Sequence, residues 1–278
     1  MWLAGEQRRC PDEIVIRFFE CKQADFAFLR HFGGVKTLNI QLAVELENLD
    51  FLCDLTSLGI LCLPETRSSR ISLQPLVGLN RLRVLHLCGS KSDVARVREL
   101  PALEKLKLES FKLEDLSWLG EAARLQWLAI DRGRIFDWEA MAELRVRYLR
   151  LVEVKGPVNL QFLASIKTLE LLHLEGMREV DRLPDFSKQR LLRRIYLNRL
   201  RSLTDVSPLL TAGHLEDLIM EESEMDADRV RPLASHPTLK HARIGTKSVK
   251  KNAAIEEVLG LSAEEAQFVY SDGSVELA

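Results

Sequence analysis

Ten short segments share one spacing, and that spacing restricts the chain to very few architectures. LRVLHL (82–87), LEKLKL (103–108), LQWLAI (125–130) and LELLHL (169–174) all read L-x-x-L-x-L. The same frame fits VKTLNI (35–40), LGILCL (58–63), VRYLRL (146–151), LRRIYL (192–197), LEDLIM (215–220) and LKHARI (239–244). Their fourth residues are Leu38, Leu61, Leu85, Leu106, Leu128, Leu149, Leu172, Ile195, Leu218 and Ala242, spaced by 21 to 24 residues. A degraded eleventh copy is EIVIRF (13–18), anchored on Ile14. A second apolar signature follows in register, as in FAFL (26–29), LDFL (49–52), LQPL (73–76), LSWL (116–119), LQFL (160–163) and VSPL (206–209). A period of this length marks stacked supersecondary units, none of which can bury its leucines without its neighbours.

The alternation inside L-x-L dictates the local structure. In an extended segment Leu106 and Leu108 face one way, and Lys105, Lys107 and Glu109 face the other. One short strand per repeat, always in the same direction, stacks into a parallel sheet, and the remaining residues must cross back to the start, in the right-handed sense. The crossover is short, so turns, 3₁₀ pieces and brief helices are expected there. Pro75 and Pro208 suit that side, where no ladder needs their missing N–H.

The chain therefore resembles the leucine-rich-repeat proteins of the short class, with repeats of about 22 residues, such as the internalin-like and phosphatase-regulatory-like repeat proteins. The resemblance covers residues 13–247. It implies an α/β right-handed leucine-rich-repeat solenoid with a concave parallel β-sheet and a convex face of turns, 3₁₀ pieces and short helices. One column departs from the family pattern. The position that carries a turn-tying Asn reads Ala43, Thr66, Ser90, Phe111, Gly133, Val154, Met177, Leu200, Ser223 and Lys247. These turns lack their usual amide.

An open stack of repeats needs covered ends. Residues 1–31 read as an N-terminal cap with the degraded first repeat, 32–247 as ten repeats, and 248–278 as a helical C-terminal cap and tail. In the last, Ala253, Ile255, Val258 and Leu259 share a helix face, Gly260 is the stop, and Ser262 to Glu265 has capping-box spacing. No linker interrupts the repeats, so the chain reads as one unit.

Composition narrows the function. Net charge is −2 and the pI about 6.3, without the basic excess of a general nucleic-acid or membrane-surface binder. The five cysteines form no CxxC and no zinc spacing, which fits free thiols in a reducing compartment. The first residues lack a signal-peptide core, and no apolar run is long enough to span a bilayer. Cytoplasmic location is the expectation. No P-loop, GxGxxG, HExxH or GxSxG occurs. His236 and His241 lie near a turn and read as surface residues. Tyr196, His173 and Glu175 could be drawn as an acid–base group, but no nucleophile or oxyanion site accompanies them. No catalytic, cofactor-binding or metal-binding residue is assigned, and no cofactor is implied.

The outward strand positions are the candidate binding surface. Trp127, Tyr148, Leu171 and Arg194 fall in one column on successive strands, and Lys107, Arg150, His173 and Tyr196 belong to the central column. Glu109, Asp131, Glu175 and Glu221 form an acidic edge. Aromatic and Arg side chains on a face that folding does not require are the usual material of interface hot spots. β-propensity alone also favours Trp and Tyr on such a face. Residues 178–201 are rich in Arg and Lys and 216–229 in Asp and Glu. That contrast reads either as lateral pairing between repeats or as a dipolar rim that steers a partner.

The function expected is a non-enzymatic protein–protein interaction module that grips a protein partner of unknown identity on the concave face. The alternatives are an immunity or inhibitor protein neutralising a toxin or enzyme, and a self-associating structural protein. Nucleic acid and membrane are not expected partners, and a monomer is expected, with a homodimer as the alternative.

Overall fold

The computed structural model describes residues 12–17, 26–41, 46, 48–63, 65, 70–89, 91, 93–156 and 158–261. They divide into two compact units, Met1–Lys112 with Glu121–Leu125, and Leu113–Gly120 with Gln126–Ala278.

In the first unit β1 (Glu13–Arg17), β2 (Thr37–Gln41), β3 (Ile60–Leu63), β4 (Val84–Cys88) and β5 (Lys105–Glu109) pair in parallel and in chain order. Register runs Ile14, Leu38, Leu61, Leu85, Leu106, the anchor column of the sequence. The four leucines are fully buried. A two-residue strand, β6 (Lys112–Leu113), falls at the boundary.

The second unit repeats the pattern with β7 (Trp127–Asp131), a two-residue β8 (Arg134–Ile135), β9 (Tyr148–Val152), β10 (Leu171–Glu175), β11 (Arg194–Asn198), β12 (Asp217–Glu221) and β13 (His241–Ile244). Its anchor column is Leu128, Leu149, Leu172, Ile195, Leu218 and Ala242, in parallel register throughout. The apolar signature folds as 3₁₀ turns on the return side, including Asp50–Asp54, Gln74–Gly78, Ser117–Glu121, Leu160–Ser165 and Ser207–Thr211. Pro75 and Pro208 sit at the starts of two of them. Between β10 and β11 no such turn forms. There Phe186 fills the core, and the buried Gln189 donates from Nε2 to the Leu163 carbonyl at 2.5 Å.

The turns after the strands are regular without Asn. The residue that follows each of β4, β5, β7, β9, β10, β11 and β12 has positive φ: Gly89, Ser110, Arg132, Glu153, Gly176, Arg199 and Glu222. At Gly89, Arg132, Glu153, Gly176 and Arg199 this N–H donates to the last strand carbonyl of the next repeat, as from Arg132 to Val152 (2.7 Å), Glu153 to Glu175 (2.8 Å) and Arg199 to Glu221 (2.9 Å). One residue later the chain turns inward, and Phe111, Val154, Met177 and Leu200 are buried in the column where the family has Asn. A left-handed non-glycine residue costs about 1–2 kcal/mol. Burying the next apolar side chain returns about 1.5–3 kcal/mol, so this turn is held by burial and backbone bonds.

α1 (Ala227–Val230) is one short turn, and α2 (Val249–Leu259) closes the described part of the chain. Ser248 caps α2 by accepting from the Lys251 N–H, Ile255 and Leu259 face inward, and Gly260 ends the helix with φ 59°. Ala253 is exposed, and the Ser262–Glu265 spacing lies outside the described residues, as do Cys10 and Cys21. His236 corrects the surface reading: it is buried, and its Nδ1 accepts from the N–H of Leu239 (3.2 Å) and of Thr238 (3.4 Å). Its ring takes over a backbone-capping task that sequence spacing does not reveal.

Candidate functional site

The outward columns lie where alternation puts them, because a strand that buries every second side chain must present the others. In the second unit register aligns Trp127, Tyr148, Leu171, Arg194, Asp217 and His241 across six strands. The central column is Ala129, Arg150, His173, Tyr196, Ile219 and Arg243. The third is Asp131, Val152, Glu175, Asn198 and Glu221. Ten of the twelve sequence-predicted contact residues belong to this unit, and Lys107 and Glu109 belong to the first.

The face is not uniformly open. Trp127, Tyr148, Arg150 and Tyr196 are half-buried and Arg194 is exposed. Leu171 (7% exposed), His173 (4%) and Asp131 (6%) lie beneath their neighbours. These three support the surface more than they offer contact. The His173 ring meets Tyr196 edge-on with centroids 4.3 Å apart, and the Arg147 guanidinium sits 5.6 Å from the Tyr148 ring centroid.

Charges on this face are paired within it. Arg150 Nη1 donates to Asp131 Oδ2 at 2.6 Å. Arg194 reaches Asp217 at 3.2 Å, which also meets His241 Nδ1 at 2.7 Å, and Arg243 reaches Glu221 at 2.7 Å. His173 Nε2 is 3.1 Å from Glu175 Oε2. Burial pushes the His173 pKa down, so the neutral ring donates this bond, and the bond with His173 holds the Glu175 carboxyl below its ordinary range. Arg199 Nη2 binds Glu175 Oε1 at 2.8 Å and Glu153 Oε1 at 3.2 Å. Arg199 and Glu153 were not among the sequence candidates. Both occupy the positive-φ position one residue past a strand, which swings their side chains back over the acidic edge. Burial also raises the Tyr196 phenol.

In the first unit Glu109 takes Lys107 at 3.5 Å and His86 at 3.0 Å. Cys62, on the same outward column as His86, is buried and its thiol is pushed up to about 12 by that burial. Such a thiol is inert at neutral pH. Among the described residues no three His, Cys, Asp or Glu side chains group to hold a metal, and no helix is long and apolar enough to cross a membrane.

Parallel strands recurring with one anchor column, joined by 3₁₀ returns, decide the architecture. The fold is a leucine-rich-repeat fold. Solved structures agree. An internalin (InlF) of Listeria monocytogenes is similar over 87% of this chain and 70% of its own, with TM-score 0.60 and 17% identity. A leucine-rich-repeat protein of Leptospira interrogans matches over 86% and 74%, with TM-score 0.54 and 14% identity. TLR13, solved as a complex with ssRNA13, matches over 82% of this chain and 34% of its own, with TM-score 0.60 and 19% identity. At such identities the likeness speaks for the fold alone. No protein-family model matches the chain, and no curated protein matches it in sequence.

Proposed function

We propose that the chain is a non-enzymatic, cytoplasmic module that binds a protein partner on the outward sheet face of its second unit, with Trp127 and Tyr148 as anchors. The observation that carries this reading is the half-exposed Trp127–Tyr148 pair on adjacent strands, next to charges that already satisfy one another. Large aromatic side chains with their polar neighbours neutralised supply contact area at low desolvation cost. Cys53, Cys62 and Cys88 as free thiols are compatible with a reducing compartment.

The test compares two adjacent residues with opposite directions. With a partner co-purified from the native host, Trp127→Ala weakens binding by about 2 kcal/mol, roughly thirtyfold, and leaves the melting temperature nearly unchanged. Leu128→Ala does the reverse, costing about 2–5 kcal/mol of stability. Unchanged affinity in a folded Trp127→Ala protein defeats the proposal.

A further inference from the structure

The third residue after each strand carries a second pattern, distinct from the sheet face. After β7, β9, β10 and β11 it is Arg134, Lys155, Arg178 and Arg201. All four are exposed, each next to a buried residue: Gly133, Val154, Met177 and Leu200. Strand register continues to this position, through the parallel bridge between Arg134 and Lys155 and through Ser202 Oγ, which donates to the Arg178 carbonyl at 2.6 Å. None of the four forms an ion pair with a described residue. The Arg134 guanidinium lies 5.8 Å from the ring centroid of Phe136, itself 46% exposed.

Like charges repeated at strand spacing, about 4.8 Å, repel one another and contribute nothing to the sheet. The same repeat position nevertheless holds Arg67, Lys91 and Lys112 in the three preceding repeats, after Glu20 and Val44 in the first two, and is acidic again at Glu224. Lys and Arg make up 39 of 278 residues, so seven in succession are not an accident of composition. Lys91 shows what a structural use looks like. It is buried, and its amine donates to the Cys88 carbonyl (3.1 Å) and the Gly89 carbonyl (3.3 Å). The four cations of the second unit extend to solvent instead.

We infer that this edge of the second unit binds an acidic helix of a protein partner, one carboxylate per helical turn against one cation per repeat. A helix advances about 5.4 Å per turn, close to the strand spacing, so glutamates on one helix face stay in step with the ladder. A nucleic-acid strand presents charges more closely, about 3.4 Å apart along a duplex. The exposed carboxylates of Asp137, Glu179 and Asp181, which follow the ladder residues in sequence, repel either kind of polyanion, so the choice between them rests on spacing. Phe136 gives the helix an apolar contact at the Arg134 end. This site does not depend on the sheet-face reading.

The experiment uses the full chain and three fluorescent probes. The first is an alanine-based helical peptide with glutamates at i, i+4, i+7 and i+11. The second has the same composition with the glutamates scattered around the helix, and the third is a single-stranded oligonucleotide. The facing-glutamate peptide binds most tightly, and its affinity falls as salt is raised. The double variant Arg134→Glu, Arg178→Glu weakens it at least roughly tenfold while melting as the parent does, and Trp127→Ala leaves it unchanged. Equal binding of the scattered peptide, tighter binding of the oligonucleotide, or indifference to the charge reversal overturns the inference. Loss of the sheet-face reading through Trp127→Ala leaves this result untouched.

Discussion

The two edges of the second unit's sheet use charge in opposite ways. On the leading edge, one residue before each strand, signs alternate: Arg147 pairs with Glu170 at 2.7 Å, and Glu216 is held between Arg193 and Lys240. On the trailing edge the signs agree from Arg134 to Arg201 and the cations point outward. The leading edge spends its surface side chains on lateral ion pairs, whereas the trailing edge is secured from inside by Val154, Met177 and Leu200 and by backbone bonds past the strands. Once burial holds a turn, the side chains above it are free for another task. Lateral pairing accounts for part of the charge contrast between 178–201 and 216–229: Arg193 and Arg194 meet Glu216 and Asp217 in the next repeat.

Four changes sharpen or break that contrast. Met177→Ala opens a cavity under the trailing edge and costs about 2–5 kcal/mol in denaturant unfolding; a loss below about 1 kcal/mol means burial does not hold the turn. Gly156→Ala comes next. Gly156 has φ 127°, and a Cβ there collides with the Ile135 carbonyl oxygen, so a loss of roughly 1–3 kcal/mol is expected in melting. On the leading edge Glu216→Gln costs about 0.2–1 kcal/mol, because its pairs face solvent. The Lys240 and Arg193 partners hold the Glu216 carboxyl below its ordinary range. Its contribution is therefore complete above the unfolded-state pKa and fades as pH falls through the folded one, so variant and parent converge in acid. A gap that widens in acid contradicts the pairing. The smallest effect is Arg178→Gln, within about 0.5 kcal/mol of the parent or slightly stabilising by relief of repulsion. A clear loss there assigns Arg178 a structural bond.

The strand columns were legible because L-x-x-L-x-L fixes both period and facing, and every anchor from Leu38 to Ala242 falls in its expected row. The outward strand positions of Trp127 and Tyr148 were legible on the same ground. What alternation cannot report is how neighbours lean over one another, and so Leu171 and His173 point outward yet are buried. Replacement of Asn by an apolar plug was visible as a column of Phe111, Val154, Met177 and Leu200, but its meaning needed the positive φ before each. The cation ladder stood one residue beyond that column, with its signal in plain sequence.

The return between β10 and β11 lacks the 3₁₀ turn that its neighbours have, and relies on Phe186 and the Gln189 bond to Leu163. Amide protons there have few internal acceptors, so in deuterated solvent this stretch exchanges ahead of the strands on either side. Repeat arrays part where nearest-neighbour coupling is weakest. The return around Gln189 is therefore where hydrogen exchange is expected to register any such parting first, and Arg178 is carried on that same return.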